Sequence, residues 1–263
     1  MNQNNLSQFF SFEGTDLAVR YRKGNCSLGL VWLHGYQSDM LGSKAMLVDD
    51  VAQKNNLSCL RFDYSGHGES GGDFFQGTIS RWVQESLAIF KAYCEGPQIL
   101  IGSSMGGWIA LRLAMMLAQK NKAVAGMVLI APAPDFTQTL VEPALGPEEW
   151  KILEEKGYIE RPAVGDTDPM PFTKALIEDG RNNCVMKGCI DIGCPIHILQ
   201  GMEDEKIPYQ HTLTLLNHLP LNDVTLTLVR DADHRFSRPQ DLDCFQTVLT
   251  SLIDRIKAEE RSV

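Results

Sequence analysis

The chain has 263 residues, of which 44% are hydrophobic and 22% charged, and carries a formal net charge of −9 at pH 7. That balance is ordinary for a globular protein able to bury a large core, so disorder is not expected. The negative charge, with no basic stripe to offset it, disfavours binding to nucleic acid and to anionic membrane surfaces.

Met1 to Gln8 lack both a basic n-region and an apolar h-region, so no secretory signal is expected and the cytoplasm is the expected location. Residues 9–12 and 17–21 flank Glu13-Gly14-Thr15-Asp16 and predict an opening antiparallel hairpin. Strands are then expected over 28–33 and 57–62, separated by a helix over 43–54, with a second helix over 78–93. The apolar run Gln98-Ile99-Leu100-Ile101 predicts a strand, Trp108 to Ala114 a helix, and residues 124–130 another strand. Arg112 interrupts that helix and residues 124–131 are too few to cross a bilayer, so no stable membrane anchoring is expected.

From Pro132 to Gly193 the alternation stops: proline, glycine and charge accumulate around short helical pieces at 148–156 and 172–182, with no convincing strand. An excursion of this length between two strands is usually a lid or binding loop, and a small helical cap over the carboxyl edge of the sheet is expected. Strands at 195–200 and 224–229 and helices near 209–219 and 240–257 complete the chain. The expected architecture is one α/β domain spanning 1–263, with about eight mostly parallel strands, helices on both faces and a cap insertion at about 132–193.

Gly102-Ser103-Ser104-Met105-Gly106 lies where a strand turns into a helix, the context of a nucleophile elbow. Ser104 has glycine at minus two and plus two, whereas Ser103 has Ile101 and Met105, so Ser104 is the candidate nucleophile. A serine needs a base, and six histidines compete. His197 lies inside a strand, His211 and His218 on an expected surface helix, and His67 among glycines. His234, in Asp233-His234-Arg235 beyond the last strand, stands where a carboxyl-edge loop can reach the elbow. An imidazole base needs a carboxylate to fix its tautomer. Among Glu203, Asp204 and Glu205, Asp204 is preferred, because Gly-x-x-Asp-x-x-Ile-Pro places it at a loop tip ahead of a proline-initiated helix. Backbone N–H groups of Met105 and of Tyr36, in His34-Gly35-Tyr36, are the candidate oxyanion donors. His34 is expected to shape that loop.

Two patterns are set aside. Gly66-His67-Gly68-Glu69-Ser70-Gly71 matches Gly-x-Gly-x-x-Gly, but Gly72 to Gly77 intervene before helical periodicity resumes, so no dinucleotide cofactor is expected. Cys184, Cys189 and Cys194, among seven cysteines, lack zinc-knuckle spacing, and neither a metal nor a disulfide framework is expected.

With Leu33-His34-Gly35-Tyr36, Arg61 to Ser70, Gly102 to Trp108, the Asp204 loop and Asp233-His234, the chain resembles the α/β-hydrolase superfamily from about Phe9 to Lys257. Gly96 to Ser104, Arg61 to Gly66 and Cys194-Pro195-Ile196 most resemble the branch of mitochondrial acyl-glucuronide esterases and palmitoyl-protein thioesterases. The resemblance implies a serine hydrolase acting on small-molecule or acylated-protein esters or thioesters, with Ser104, Asp204 and His234 as triad and no cofactor. A peptidase or amidase with the same triad, and a noncatalytic hydrolase-fold binding protein, are the alternatives. Arg161, Lys174, Arg181, Lys187 and Arg235 are candidate contacts for an anionic substrate, though solvated surface charge is their commoner role.

Overall fold

In a computed structural model, which describes residues 6–118, 124–161, 169–221 and 223–260, the main sheet has eight strands. They are β1 (Gln8–Phe12), β2 (Thr15–Arg22), β3 (Gly29–Leu33), β4 (Ser58–Phe62), β5 (Gln98–Ser103), β6 (Val124–Ile130), β9 (Ile196–Gly201) and β10 (Val224–Val229). Two short strands, β7 (Tyr158–Arg161) and β8 (Met170–Thr173), form a separate ribbon. The helices are α1 (Ser43–Lys54), α2 (Ile79–Tyr93), α3 (Met105–Ala118), α4 (Pro147–Lys156), α5 (Lys174–Asn183), α6 (Tyr209–Asn217) and α7 (Pro239–Glu260).

The sheet runs β1-β2-β4-β3-β5-β6-β9-β10, and β2 alone runs opposite to the other seven strands. Period-two alternation sends successive side chains of one strand into opposite cores. Leu100 of β5 packs with Val31, Leu33 and the residues of α2 and α3, whereas Ile99 and Ile101 pack with Leu30, Trp32 and the residues of α1 and α7. Strands covered on both faces read as continuous apolar runs, as β3 and β5 do, and every residue of both is buried. The chain leaves β3 toward β4 on one side and returns to β5 on the other. The carboxyl ends of β3 and β5 therefore flank a topological switch point, where the loops of an open α/β sheet diverge and leave a crevice.

The stretch after β6 departs from its expected all-helical character. Between α4 and α5 the chain builds the antiparallel ribbon β7–β8, in register from Tyr158↔Thr173 to Arg161↔Met170. Each strand is only four residues long, and Pro171 interrupts the apolar pattern of the second, so no alternation emerges from the sequence. Helix α5 starts later than the apolar pattern indicates because Thr173 is its cap, its hydroxyl accepting from Leu176 N at 3.0 Å. Asp135 ties the far end of the stretch back to β6: its carboxylate accepts from Val185 N and Met186 N, both at 2.8 Å.

Among the described residues no helix is long and apolar enough to cross a membrane, and no group of three His, Cys, Asp or Glu side chains is placed to hold a metal ion. Cys26, Cys59, Cys184, Cys189, Cys194 and Cys244 are free thiols.

Candidate active site

Ser104 joins β5 to α3 with a φ of +54°, in the left-handed region that costs a non-glycine residue strain. Its neighbours show why the spacing is glycine-bound. A Cβ on Gly106 would lie 2.0 Å from Leu33 O, and one on Gly102 would lie 2.4 Å from Gly106 O. Both obstacles are backbone. The strained turn is held from outside by Ser104 N donating to Ile130 O at 2.9 Å and by Ala133 N donating to Ser104 O at 3.1 Å. Ser103, by contrast, is buried as the last residue of β5.

His234 reaches this serine from the loop after β10. Its Nε2 stands 3.1 Å from Ser104 Oγ and its Nδ1 2.7 Å from Asp204 Oδ2. A carboxylate only accepts, so Nδ1 carries the proton and Nε2 presents its lone pair to the serine hydroxyl. Asp204 has a fully buried side chain and four bonds to hold its plane. Oδ1 accepts from Lys206 N at 2.9 Å and Ile207 N at 2.8 Å, and Oδ2 accepts from Gln200 Nε2 at 3.1 Å as well as from His234. Glu203 and Glu205, its rivals in sequence, are exposed.

Gln200 is a supporting residue that sequence reasoning missed. Its Nε2 also donates to Ile207 O at 3.1 Å, while its Oε1 accepts from Thr212 Oγ1 at 2.8 Å, and both side chains are fully buried. The available signal was a glutamine near the carboxyl end of β9, four residues ahead of the carboxylate. Lys44 was missed as well. It reaches across from α1 to donate to Arg235 O, next to His234 in the chain, and to Ser237 Oγ at 3.3 Å.

The loop after β3 lies directly on the serine. A Cβ on Gly35 would sit 3.2 Å from Ser103 O and 3.3 Å from Ser104 Cβ, so only glycine allows this approach without a shift. Met105 opens α3, and amides of a first helical turn have no intrahelical acceptor, leaving its N–H available above the elbow. His34 is fully buried, with Nδ1 2.9 Å from Gly35 O, and burial holds it well below its ordinary pKa. A neutral His34 therefore donates to Gly35 O and braces the loop. Beneath it, Asp63 accepts from Met40 N at 2.7 Å and Glu69 N at 2.9 Å, and burial lifts its carboxyl to about 6.

The remaining histidines stand apart from the serine. His197 faces Thr227 Oγ1 at 2.9 Å and His218 faces Gly188 O at 2.8 Å. His211 is buried rather than on a solvent face, its Nε2 2.8 Å from Pro134 O. His67 sits among aromatic rings with Nδ1 3.2 Å from Ser65 O, and burial lowers it to about 4. The Gly66 to Gly71 turn closes on itself through Gly66 N to Gly71 O at 2.9 Å, and a Cβ on Gly68 would strike Asp63 Oδ2 at 2.1 Å. Its glycines serve that packing and open no long helix.

Four of the five cations considered for an anionic substrate are engaged within the excursion. Arg161 pairs with Glu149 at 2.6 Å, Lys174 with Glu154, and Arg181 with Glu142 at 2.9 Å, while Lys187 donates to Arg181 O at 2.9 Å. Three of them are thus paired with carboxylates, whereas the bond of Lys187 to a backbone carbonyl leaves its charge in place. Arg235 is exposed beside His234.

The Hydrolase_4 family model, described as serine aminopeptidase S33, matches residues 28–155. The mitochondrial palmitoyl-protein thioesterase ABHD10 of Mus musculus is 33% identical over 244 residues, covering 92% of this chain and 80% of the relative. Among solved structures, a putative hydrolase from Agrobacterium vitis superposes with a TM-score of 0.90 at 50% identity, covering 94% of this chain and 98% of that one. Alpha/beta hydrolase domain-containing protein 10 from mouse superposes with a TM-score of 0.85 at 30% identity, covering 95% and 99%. The expected cytoplasmic location is corrected by these curated relatives, whose names place them in mitochondria. The first residues, on which that expectation rested, include 1–5, which lie outside the described residues.

Proposed function

The chain belongs to the α/β-hydrolase family that includes the ABHD10 proteins, and from that premise we propose that it hydrolyses carboxylic esters or acyl thioesters through an acyl-enzyme on Ser104. The observation that carries the reading is the unbroken hydrogen-bond line from Ser104 Oγ through His234 to Asp204, mounted on a serine strained at φ +54°.

His234 Nε2 takes the proton of Ser104 Oγ as the oxygen attacks the substrate carbonyl. The new oxyanion is held by the N–H groups of Met105 and Tyr36, each contributing on the order of 3 kcal/mol to the transition state. As the tetrahedral intermediate collapses, the imidazolium Nε2–H protonates the departing oxygen or sulfur and the acyl-enzyme remains. A water then gives its proton to His234 Nε2, its oxygen attacks the acyl carbon, and the second collapse returns the proton to Ser104 Oγ with release of the acid. Asp204 keeps Nδ1 protonated and stabilises the cation in both halves. Residues 132–193 act as the cap that selects the acyl and leaving groups. The relatives named palmitoyl-protein thioesterase favour acyl thioesters, on a protein or a small carrier, as the natural substrates.

Aminoacyl amides are the second reading, favoured by the description of the matching family as a serine aminopeptidase. A panel of short and long acyl esters, acyl thioesters and aminoacyl amides, run on wild type beside Ser104→Ala, decides between them. Turnover of esters and thioesters that the substitution abolishes is expected. Turnover of amides alone refutes the esterase reading, and activity that survives the substitution refutes the nucleophile.

A further inference from the structure

Tyr36 supplies more than an amide. Its hydroxyl leaves the loop after β3 and donates to Pro171 O in β8, at 2.5 Å and 135 positions along the chain. Its ring lies parallel to that of Phe172, with centroids 5.7 Å apart and planes 9° apart, and touches Phe74 with centroids at 4.8 Å. The next residue repeats the connection: Gln37 Nε2 donates to Pro169 O at 3.3 Å. Gln37 also sits at φ +52°, a conformation that a glutamine keeps only where its surroundings enforce it. On the other side of this loop Gly35 rests against Ser104. Two consecutive side chains of the oxyanion loop are thus fastened to the main chain at the start of β8, one to Pro171 within it and one to Pro169 just ahead of it, beside the amide that must point at the serine.

We propose that the Tyr36 hydroxyl is a positioning group that splints the oxyanion loop to the ribbon β7–β8, so that the amide pair is aligned only while the ribbon is seated. The inference rests on the reading of Ser104 as nucleophile and goes beyond it by making the ribbon part of the catalytic geometry. Burial raises the Tyr36 hydroxyl well above its ordinary pKa, so it remains a neutral donor at every working pH. The charge that develops on the substrate oxygen is stabilised only by donors already aimed at it, and a displacement of about 1 Å costs up to about a hundredfold in rate. Ground-state binding, which leans on the walls of the cleft rather than on these donors, is affected far less.

The test compares wild type, Tyr36→Phe and Gln37→Asn in steady-state turnover of a p-nitrophenyl ester and in the rate of labelling by a fluorophosphonate. Phenylalanine keeps the ring stack and removes one O–H, while asparagine tolerates the left-handed backbone but is too short to reach Pro169. For Tyr36→Phe the expected result is a fall in kcat of about tenfold with KM within about twofold, a parallel fall in labelling rate, and an unfolding transition like that of wild type. Gln37→Asn should move kcat in the same direction by a smaller factor. The inference is overturned if kcat of Tyr36→Phe stays within twofold of wild type, or if the loss falls on KM alone. Ser104→Ala separates this from failure of the underlying reading: an active Ser104→Ala overturns both, whereas an inert Ser104→Ala beside a fully active Tyr36→Phe overturns only the splint.

Discussion

Replacing Gln200 with leucine tests how far the buried scaffold, rather than the triad alone, sets activity. The substitution keeps the volume and removes four contacts: the donations to Asp204 Oδ2, Ile207 O and Gly201 O, and the acceptor for Thr212 Oγ1. Ile207 O and the Thr212 hydroxyl are left facing apolar surroundings, at about 1 kcal/mol or more each, and the lost bond to a carboxylate adds about 1.5 kcal/mol. Extra apolar burial returns about 1 kcal/mol, so the net destabilisation is about 3 kcal/mol. Catalysis should suffer less than stability, because Asp204 Oδ1 stays pinned by two backbone amides and only the rotation of Oδ2 toward His234 is freed. A fall in kcat of about 10-fold is expected, against about 10⁴-fold for Asp204→Asn, where the wrong imidazole tautomer is favoured. Urea unfolding followed by circular dichroism gives the first quantity, and ester turnover corrected for folded fraction gives the second. The reasoning is refuted if Gln200→Leu is as stable as wild type, or if its kcat falls as far as that of Asp204→Asn.

His67→Phe addresses the acid limb of stability. Burial lowers His67 from 6.5 to about 4, so the unfolded chain takes up a proton that the native chain refuses, and stability is lost as pH falls from about 6.5 to about 4, by about 3 kcal/mol. Asp63, raised from 3.8 to about 6, works in the opposite sense over an overlapping range, but equally in both proteins. Unfolding at pH 7 and pH 4.5 should therefore show a smaller acid loss in the variant, and equal losses would sink the assignment. Ser65 O keeps a partner in this variant, the Trp82 Nε1 donor at 3.2 Å. Lys44→Met tests the brace on the His234 loop. Burial, and secondarily Arg235, bring Lys44 down to about 8 against the pull of Asp233 and Asp241, so wild type should gain stability as pH rises from about 8 to 10.5. The variant should lose that slope and several-fold in kcat, and an unchanged slope of melting temperature between pH 7.5 and 9.5 would contradict the environment described for Lys44. Gly106→Ala should fail to give folded protein, since its Cβ meets Leu33 O at 2.0 Å and His34 O at 2.6 Å. A variant melting within a few degrees of wild type would show that the elbow can be rebuilt.

What was legible in the sequence follows from how local its cause is. Helix α1 has the bounds that periodicity indicates, because one face of it packs on the sheet and the residues beyond it cannot continue the stripe. Ser104 could be singled out because steric exclusion at Gly102 and Gly106 leaves a trace at fixed spacing. Asp204 and His234 could be chosen from their rivals only by their positions after strands, and the structure brings both into line with Ser104. The ribbon β7–β8 left no trace, being four residues a side with a proline inside. Gln200 and Lys44 were harder to read for another reason: a polar side chain near a strand end or on a helix carries no signature of which loop or helix it will meet. The cations of the excursion were legible as charges but not as pairs, since Arg161 meets Glu149 and Arg181 meets Glu142 only once the segment folds.

Strand β10 closes one edge of the sheet and is paired only with β9, yet the loop that follows it carries His234. An edge strand can open at a fraction of the free energy needed to unfold the whole molecule. Such an opening withdraws the imidazole while Ser104, between the interior strand β5 and helix α3, keeps its strained turn. On the proposed mechanism, reactivity of the serine depends on the β9–β10 pairing as well as on the bonds that brace the His234 loop. On gentle heating, labelling of Ser104 is therefore expected to fall ahead of the loss of the sheet as a whole.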